Sequence, residues 1–356
     1  MNMNCEWNRI LIIIISTFLI SAFLVPVIKK TALHVGALDL PNKRKVHTKK
    51  MPRMGGVAIF GAFLTGYMFF AESSIQMLSI LIGSFIIILL GIIDDIKPIP
   101  ASYKFITQII AACVIVFYGG IFLDEITFLG LIIKFPQPIN YFVTILFVVS
   151  ITNAINLIDG LDGLASGVSS IYFATISFIA IILNKMGGLD VVLSLIMLGS
   201  TLGFLFHNFP PAKIFMGDSG SLFLGFIISV ISLLGFKSTT LTSLIIPMLI
   251  LAVPIFDTGL AIARRTLKGE SVGTPDKEHL HHQLLKMKYS TKKTVLIIYF
   301  INVLFALVSI LYVLGDSEVA MFIYSLLMIV LLFFILKTDI LYEHNKNKKR
   351  RFKNEI

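Results

Sequence analysis

Aspartates gather in three short segments of an otherwise apolar chain. The segments are "GIIDDIKP" with Asp94 and Asp95, "NLIDGLDG" with Asp159 and Asp162, and "FMGDSGS" with Asp218. A helix cap or a turn would explain any single aspartate, but not the whole group. Carboxylate oxygens suit Mg²⁺ or Mn²⁺, and Mg²⁺ characteristically joins one or two carboxylates to substrate phosphates. The segments therefore predict a divalent-cation site for a phosphorylated substrate.

Glycines accompany these aspartates. Gly217 and Gly220 flank Asp218, and "DGLDG" alternates acids with glycines. Backbone N–H groups that lack a neighbouring Cβ can approach an anion closely, and a following helix N-terminus adds positive potential. We therefore expect a diphosphate together with a metal. The phosphate loop GxxxxGK[ST] is absent from the sequence, which disfavours an ordinary nucleotide hydrolase.

Histidine and basic residues form two further groups. His279, His281 and His282 stand in "EHLHH", a spacing that does not match the i, i+4 pair of a zinc helix. Hydrogen bonding to a phosphate or sugar is the better interpretation, with solvated loop histidines as the alternative. The basic residues of the first connection could contact an anionic substrate as well as lipid headgroups; they are Lys43, Arg44, Lys45, His47 and Arg53.

The elements that position these residues are predicted to be membrane-spanning helices. The 356-residue chain is 56% hydrophobic and 14% charged, against about 25% charged in soluble domains. Apolar runs near 20 residues predict eleven spans: 10–28, 55–71, 76–93, 105–118, 141–158, 163–183, 189–206, 220–236, 241–263, 294–314 and 319–336. We expect an all-α polytopic bundle of 10 or 11 helices, with one catalytic domain over 1–336 and a basic tail over 337–356.

The distribution of Lys and Arg predicts the orientation. Of the 30 such residues, 26 fall in the odd-numbered connections and the C-terminal tail. The positive-inside rule then places these segments in the cytoplasm and the N-terminus outside. All the polar clusters fall in odd-numbered connections, so we expect them to meet at the cytoplasmic face. The net charge of +10 is explained by orientation and anionic lipids, so no nucleic-acid partner is predicted.

The outer connection 119–140 is predicted to form a short surface hairpin or a re-entrant segment, because its apolar stretch is bounded by acidic residues and prolines. The two cysteines, Cys5 and Cys113, give no basis for a structural disulfide or a cysteine metal site. The first apolar run lacks a convincing cleavage site, so we expect it to be an uncleaved helix.

The motifs together resemble the polyprenyl-phosphate N-acetylhexosamine-1-phosphate transferase family. "DLPNKRKVHTKKMPRMGG", "GIIDDIKP", "NAINLIDGLDGLASG", "PPAKIFMGDSGSLFLG", "PIFDTGLAIARR" and "DKEHLHHQLL" occur in that family's order, from residue 39 to about 285. The resemblance implies helices around a cytoplasmic-facing cleft in a bacterial inner membrane. It also implies transfer of an N-acetylhexosamine 1-phosphate, most simply GlcNAc 1-phosphate, from a UDP-sugar to undecaprenyl phosphate, releasing UMP. Such a reaction starts a glycopolymer of the teichoic-acid or O-antigen type.

The resemblance also implies roles for individual residues. The catalytic carboxylates would be Asp94, Asp95, Asp159 and Asp218. The metal would be Mg²⁺, with Mn²⁺ as a substitute, on Asp218, Asp94 and Asp95. Lys104 would neutralise the lipid phosphate, and Phe215 would stack on uracil. The nucleotide and sugar would be bound by Asn156, Asp162, Asn208, Phe215, His279, His281, His282 and Arg53. A homodimer is also possible.

Two other functions fit the composition. A phospho-MurNAc-pentapeptide transferase would share the metal and phosphate chemistry, but "RKVH" and "HLHH" favour the N-acetylhexosamine branch by resemblance. A secondary transporter would also carry intramembrane carboxylates, typically near the bilayer midplane and within internal repeats. Here the acids cluster at one predicted face, and no clear repeat relates the two halves of the sequence.

Overall fold

A computed structural model gives the architecture, which is described for residues 3–40, 50–128, 131–183, 187–237, 245–267, 269 and 279–354. Thirteen α-helices account for most of these residues. They are α1 Met3–Val35, α2 Gly56–Phe70, α3 Ile75–Ile96, α4 Ala101–Cys113, α5 Ile139–Ile158, α6 Leu164–Ile182, α7 Leu189–Asn208, α8 Gly217–Lys237, α9 Ile245–Ile250, α10 Ala252–Leu267, α11 Leu280–Lys286, α12 Thr291–Leu314 and α13 Ser317–Asn354. A π-helical turn, Val114–Tyr118, extends α4.

The all-α polytopic class is confirmed, but the count of eleven spans is not. Among the described residues, nine helices are long and apolar enough to cross a membrane. A tenth predicted span, α2, has 15 residues, which at 1.5 Å per residue makes it about 22 Å long. The hydrocarbon core of a bilayer is about 30 Å thick. Residues 337–354, which were predicted to belong to a basic tail, continue α13 as far as Asn354.

The predicted span 241–263 is not one continuous helix in the described part. It contains α9 and α10, separated at Leu251, and residues 238–244 lie outside the described ranges. Pro254 accounts for the interruption, because proline has no N–H to donate to the carbonyl of Ile250 one turn earlier. Hydropathy counts apolar residues and does not register this missing hydrogen bond.

Helix α8 lies at the centre of the bundle. It packs against α2, α3, α5 and α7, and nearly all of its side chains are buried. Hydroxyl groups join helices in this interior, as where Ser170 Oγ donates to Thr201 Oγ1 at 2.9 Å and Tyr172 pairs with Ser232 at 2.8 Å. Such short polar side chains let apolar helices approach closely while their hydrogen bonds stay satisfied.

Two small hairpins interrupt the helices. The connection 119–140, predicted to form either a hairpin or a re-entrant segment, contains the strand pair of a hairpin: β3 (Glu125–Phe128) pairs antiparallel with β4 (Leu131–Lys134). A second antiparallel pair, β1 (Leu38–Asp39) with β2 (Met51–Pro52), was not predicted. This second pair leads directly into Arg53 and α2, so it sets the position of a residue assigned to the site.

Candidate active site

Asp218 is the point at which the predicted residues meet. It lies in the first turn of α8, where unpaired N–H groups and the helix dipole favour a negative charge. Two cations contact its carboxylate: Arg53 Nη2 lies 3.3 Å from Oδ1, and Lys104 Nζ lies 2.6 Å from Oδ2. The Asp218 side chain is 17% exposed. It is therefore held between two positive groups while part of it still faces solvent.

Asp95 holds the start of α8 from another helix. Its Oδ1 accepts from the backbone N–H of Asp218 at 2.9 Å, and its Oδ2 accepts from the Ser219 N–H at 3.2 Å and the Ser219 hydroxyl at 2.6 Å. A side chain on Gly217, whose φ is +74°, would collide with this carboxylate. Asp95 thus caps α8, which leaves the carboxylate of Asp218 free to turn toward the two cations.

Asp94 and Lys104 complete the charged cluster. Asp94 Oδ1 accepts from the Ile99 N–H at 2.8 Å, which closes the turn after α3, and its Oδ2 lies 2.8 Å from Lys104 Nζ. Lys104 therefore bridges Asp94 and Asp218. Because α3 and α4 are joined by a short connection, the turn that Asp94 stabilises also directs Lys104 toward α8.

Arg53 is positioned by backbone pairing rather than by a helix. Phe215 N donates to Pro52 O at 2.9 Å, and Gly55 N donates to Phe215 O at 3.0 Å. These bonds attach the segment after β2 to the loop before α8. Met54 adopts φ +75°, a conformation that is uncommon for a residue other than glycine. Arg53 Nη2 also lies 3.3 Å from Asp95 Oδ1, so one guanidinium group connects the segment after β2 to both α3 and α8.

The "DGLDG" loop between α5 and α6 is fixed by partners on three other segments. Asn208 Oδ1 accepts from the Gly163 N–H at 2.9 Å, and Asn208 Nδ2 donates to Ile214 O at 2.9 Å. Asp162 Oδ2 accepts from the Ala212 N–H at 2.9 Å, and the Tyr299 hydroxyl donates to Gly163 O. Asn208 is only 3% exposed. Its observed contacts anchor the loop that carries Asp159 and Asp162.

A cleft of about 620 Å³ opens beside Asp218. Eight predicted site residues line it: Arg53, Asn156, Asp159, Asp162, Asn208, Phe215, Asp218 and His282. Asp39 and Thr291, which sequence reasoning did not single out, also line it. Residues from four separate predicted clusters therefore line one cavity. They were predicted to meet because all of them lie in odd-numbered connections.

Asn156 and Asp159 form one wall of the cleft at the end of α5. Asn156 Nδ2 donates to Ser221 Oγ at 2.8 Å, which ties this wall to α8. Burial, and next the negative charge of Asp218, raise the pKa of Asp159 to about 8. The Asp159 carboxyl group therefore keeps its proton to a higher pH than an aspartate in water does.

The three predicted histidines form a row that starts behind the cleft. His279 and His281 are buried, and their rings are nearly parallel with centroids 5.8 Å apart. The His281 and His282 centroids are 4.2 Å apart, and His282 is the member that lines the cleft. Burial, and next His282, lower the pKa of His281 to about 3, so that imidazole is neutral.

Sequence reasoning missed Asp257, the partner of the first histidine. Asp257 lies on α10, and its Oδ2 is 2.9 Å from His279 Nδ1. An acid within the apolar run "LAVPIFDTGLAIA" was the available signal. Four basic residues assigned to the first connection, Lys43, Arg44, Lys45 and His47, lie outside the described residues.

Comparisons with known proteins identify a family and several relatives of this chain. The sequence profile of glycosyl transferase family 4 matches residues 77–236. The chain is 45% identical over 332 residues to a probable undecaprenyl-phosphate N-acetylglucosaminyl 1-phosphate transferase of Bacillus subtilis, covering 90% of each chain. It is 36% identical over 312 residues to a decaprenyl-phosphate N-acetylglucosaminephosphotransferase of Mycobacterium tuberculosis, covering 79% of this chain and 77% of the relative.

A more distant relative has a similar description. The undecaprenyl-phosphate alpha-N-acetylglucosaminyl 1-phosphate transferase of Escherichia coli is 28% identical over 313 residues, covering 83% of each chain. The fold and site define a multi-pass membrane protein with a charged cleft at one end of its bundle. The chain belongs to the polyprenyl-phosphate N-acetylhexosamine-1-phosphate transferases of glycosyl transferase family 4.

Proposed function

We propose that the protein transfers N-acetylglucosamine 1-phosphate from UDP-GlcNAc to undecaprenyl phosphate and releases UMP. The observation that carries this proposal is the position of Asp218, between Arg53 and Lys104 at the wall of a polar cleft. Two cations beside a helix N-terminus suit a substrate with several phosphate groups. The names of the relatives supply the acceptor class and the sugar.

In the proposed reaction an oxygen of the lipid phosphate attacks the β-phosphorus of the UDP-sugar. The bond from that phosphorus to the oxygen bridging the two phosphates breaks, and the oxygen leaves with UMP. The second pKa of a phosphate monoester is near 6, so the acceptor is mostly a dianion at pH 7. It needs alignment and charge neutralisation more than a base. Lys104 and Arg53 supply positive charge at the position where both substrates would meet.

The carboxylates favour direct displacement over a covalent aspartyl intermediate. Asp95 is buried and accepts three hydrogen bonds, and Asp94 is occupied by Ile99 N–H and Lys104. These contacts give both residues positioning roles. A nucleophilic aspartate would need an exposed oxygen directed at the β-phosphorus.

We also propose that the reaction depends on Mg²⁺, for which Mn²⁺ could substitute. Among the described residues, no group of three or more His, Cys, Asp or Glu side chains is arranged to hold a metal ion. Asp218 and Asp94 nevertheless each direct an oxygen at the same ammonium, so their carboxylates converge on one cation position. This donor set suits Mg²⁺, which keeps several waters and takes other ligands from substrate phosphates. Bound there, it would neutralise charge on the diphosphate.

The proposed location is the bacterial inner membrane, with the cleft at the cytoplasmic face. The asymmetry of Lys and Arg supports this orientation. UDP-sugars would reach the cleft from the cytoplasm, and the polyprenyl tail would stay in the bilayer. The product, a lipid-linked sugar diphosphate, would begin a glycopolymer of the teichoic-acid or O-antigen type.

The proposal is tested with purified protein and undecaprenyl phosphate. The donors UDP-GlcNAc, UDP-GalNAc and UDP-MurNAc-pentapeptide are supplied in parallel reactions. We expect Mg²⁺-dependent, equimolar formation of UMP and lipid-linked sugar with UDP-GlcNAc, abolished by EDTA and by Asp218→Asn. If UDP-MurNAc-pentapeptide were the only donor to give product, the protein would be assigned to the peptidoglycan branch instead. No product from any donor would reject the transferase function.

A further inference from the structure

Asp257 contacts the histidine segment through both of its carboxylate oxygens. Oδ2 lies 2.9 Å from His279 Nδ1, and Oδ1 accepts from the Leu280 backbone N–H at 2.9 Å. Leu280 begins α11, so one side chain of α10 both holds the first imidazole and satisfies a donor at the start of the next helix. Asp257 and His279 are separated by 22 positions in the sequence.

Burial makes this contact costly unless it is fully paired. Asp257 is 6% exposed and His279 is 5% exposed. A carboxylate this far from water is destabilising without compensating hydrogen bonds or a cationic partner. Because a carboxylate only accepts hydrogen bonds, Asp257 fixes His279 in the form that carries a proton on Nδ1, which directs Nε2 away from α10.

The geometry continues from His279 toward the cleft. His281 is nearly parallel to His279, and its ring packs so closely on Gly160 that a side chain there would collide with it. Gly160 and His282 both line the cleft. The orientation that Asp257 imposes on His279 is therefore transmitted through packed rings to the wall that also contains Asp159.

We propose that Asp257 is a positioning residue for the nucleotide-sugar donor, acting through His279 and the adjoining imidazoles. The inference rests on the proposed function, since it assigns the histidine wall to the donor's diphosphate and sugar. Lys104, on α4, pairs with Asp94 and Asp218, and it is the residue assigned to the lipid phosphate. Loss of the Asp257 contact should therefore weaken the donor site selectively.

The substitution Asp257→Asn distinguishes the positioning role from a purely structural role. The asparagine keeps the volume, and its Oδ1 can still accept from Leu280 N–H. Its Nδ2 would face His279 Nδ1 as a donor, so the imidazole would have to move its proton to Nε2. We expect the Kd for UDP-GlcNAc to rise about 10- to 100-fold, by analogy with the effect of losing the orienting partner of a metal-binding histidine. The KM for undecaprenyl phosphate should change less than twofold.

Asp190→Asn is the matched control. Asp190 is also a buried aspartate, 1% exposed, near the start of α7. It lies 18 residues before Asn208, or about 27 Å along that helix from the site. Calorimetric titration of full-length purified protein with UDP-GlcNAc, alongside thermal unfolding, should show weak binding only for the Asp257 variant. If both variants bind equally, or if Asp257→Asn raises the KM values of donor and acceptor alike, the proposal is wrong.

A double substitution tests the route through His279. In a His279→Gln background, adding Asp257→Asn should weaken donor binding less than twofold further, because both changes remove the same oriented imidazole. Full additivity would show that Asp257 does not act through His279 and would overturn the proposal. Binding of UDP-GlcNAc by wild-type protein that forms no UMP would refute the transferase function while leaving this inference testable by affinity.

Discussion

Nζ of Lys104 lies 2.6 Å from Oδ2 of Asp218, although the two residues are 114 positions apart in the sequence. The same ammonium lies 2.8 Å from Asp94 Oδ2. One lysine therefore offsets the repulsion between two carboxylates that face each other at the site. Since the Lys104 side chain is 23% exposed, it is also accessible to an incoming phosphate.

Lys104→Met should reduce kcat/KM for undecaprenyl phosphate by about 30-fold or more, because losing the charged partner of a bound, desolvated phosphate typically costs about 2–5 kcal/mol. The KM for UDP-GlcNAc should change less, since Arg53 remains beside Asp218. Steady-state kinetics with each substrate varied in turn make this measurement. Lys97→Met is the control, because Lys97 is exposed at the end of α3. Near-equal kinetics for the two variants would contradict the assigned role.

Asp95 and Asp218 should respond differently to substitution. Asp95→Ala removes the acceptor of three hydrogen bonds at the start of α8, so it should lower both the melting temperature and activity. Asp218→Asn should abolish activity with little loss of stability. Ser219→Ala removes one of the three hydrogen bonds and should cost about 1–2 kcal/mol. Thermal unfolding in detergent and UMP release are measured for each variant. Together they distinguish Asp95, which caps α8, from Asp218, which binds the cations. Equal loss of stability in the Asp95 and Asp218 variants would refute the distinction.

Gly217→Ala should reduce activity strongly, because its side chain would collide with the Asp95 carboxylate and displace the start of α8. Gly36→Ala is a matched control: Gly36 has a similar φ of +77°, but no atom lies within 4 Å of its added Cβ. Both variants carry the backbone strain of an L-residue at positive φ, about 1–2 kcal/mol. A comparable fall in activity in both would mean that strain, and not the collision, is responsible. UMP release measures the difference.

Much of the site was predictable because its residues are chemically unusual in an apolar chain. Asp218 beside glycines, the paired Asp94 and Asp95, and the histidine group all stand out from their surroundings. Charge asymmetry placed them on one face, and the structure brings them to one cleft and its immediate surroundings. The hairpin in the connection 119–140 was recognisable, as one of two predicted alternatives, from the acidic residues and prolines that bound a short apolar stretch.

The remaining features depend on contacts between distant segments, about which local patterns carry no information. The cap from Asp95 to Ser219 spans 124 residues, and the anchor from Tyr299 to Gly163 spans 136. Asn208 was assigned to the nucleoside by resemblance; it lines the cleft, and its hydrogen bonds to the "DGLDG" loop were not predicted. The interruption before α10 follows from one missing N–H at Pro254, which hydropathy does not detect.

The carboxyl group of Asp159 should make stability depend on pH. Burial, and next Asp218, raise its pKa to about 8 in the folded protein, whereas an aspartate in an unfolded chain titrates near 4. Between about pH 4 and pH 8 the folded state therefore holds a proton that the unfolded state has lost. The stabilisation from this group is present in full at low pH, falls as the pH rises through this window, and levels off above about pH 8.

Asp159→Asn abolishes this dependence, so its melting temperature relative to wild type should rise steadily from pH 5 to pH 8. The melting temperatures of both proteins are measured in detergent without added metal, at intervals of half a pH unit. Glu72→Gln serves as the control, because Glu72 is an exposed acid between α2 and α3. A difference between Asp159→Asn and wild type that stays constant with pH would show that the carboxyl group is already ionised near pH 5. In that case Asp159 would contribute a negative charge to the cleft at neutral pH and would be available to a cation there.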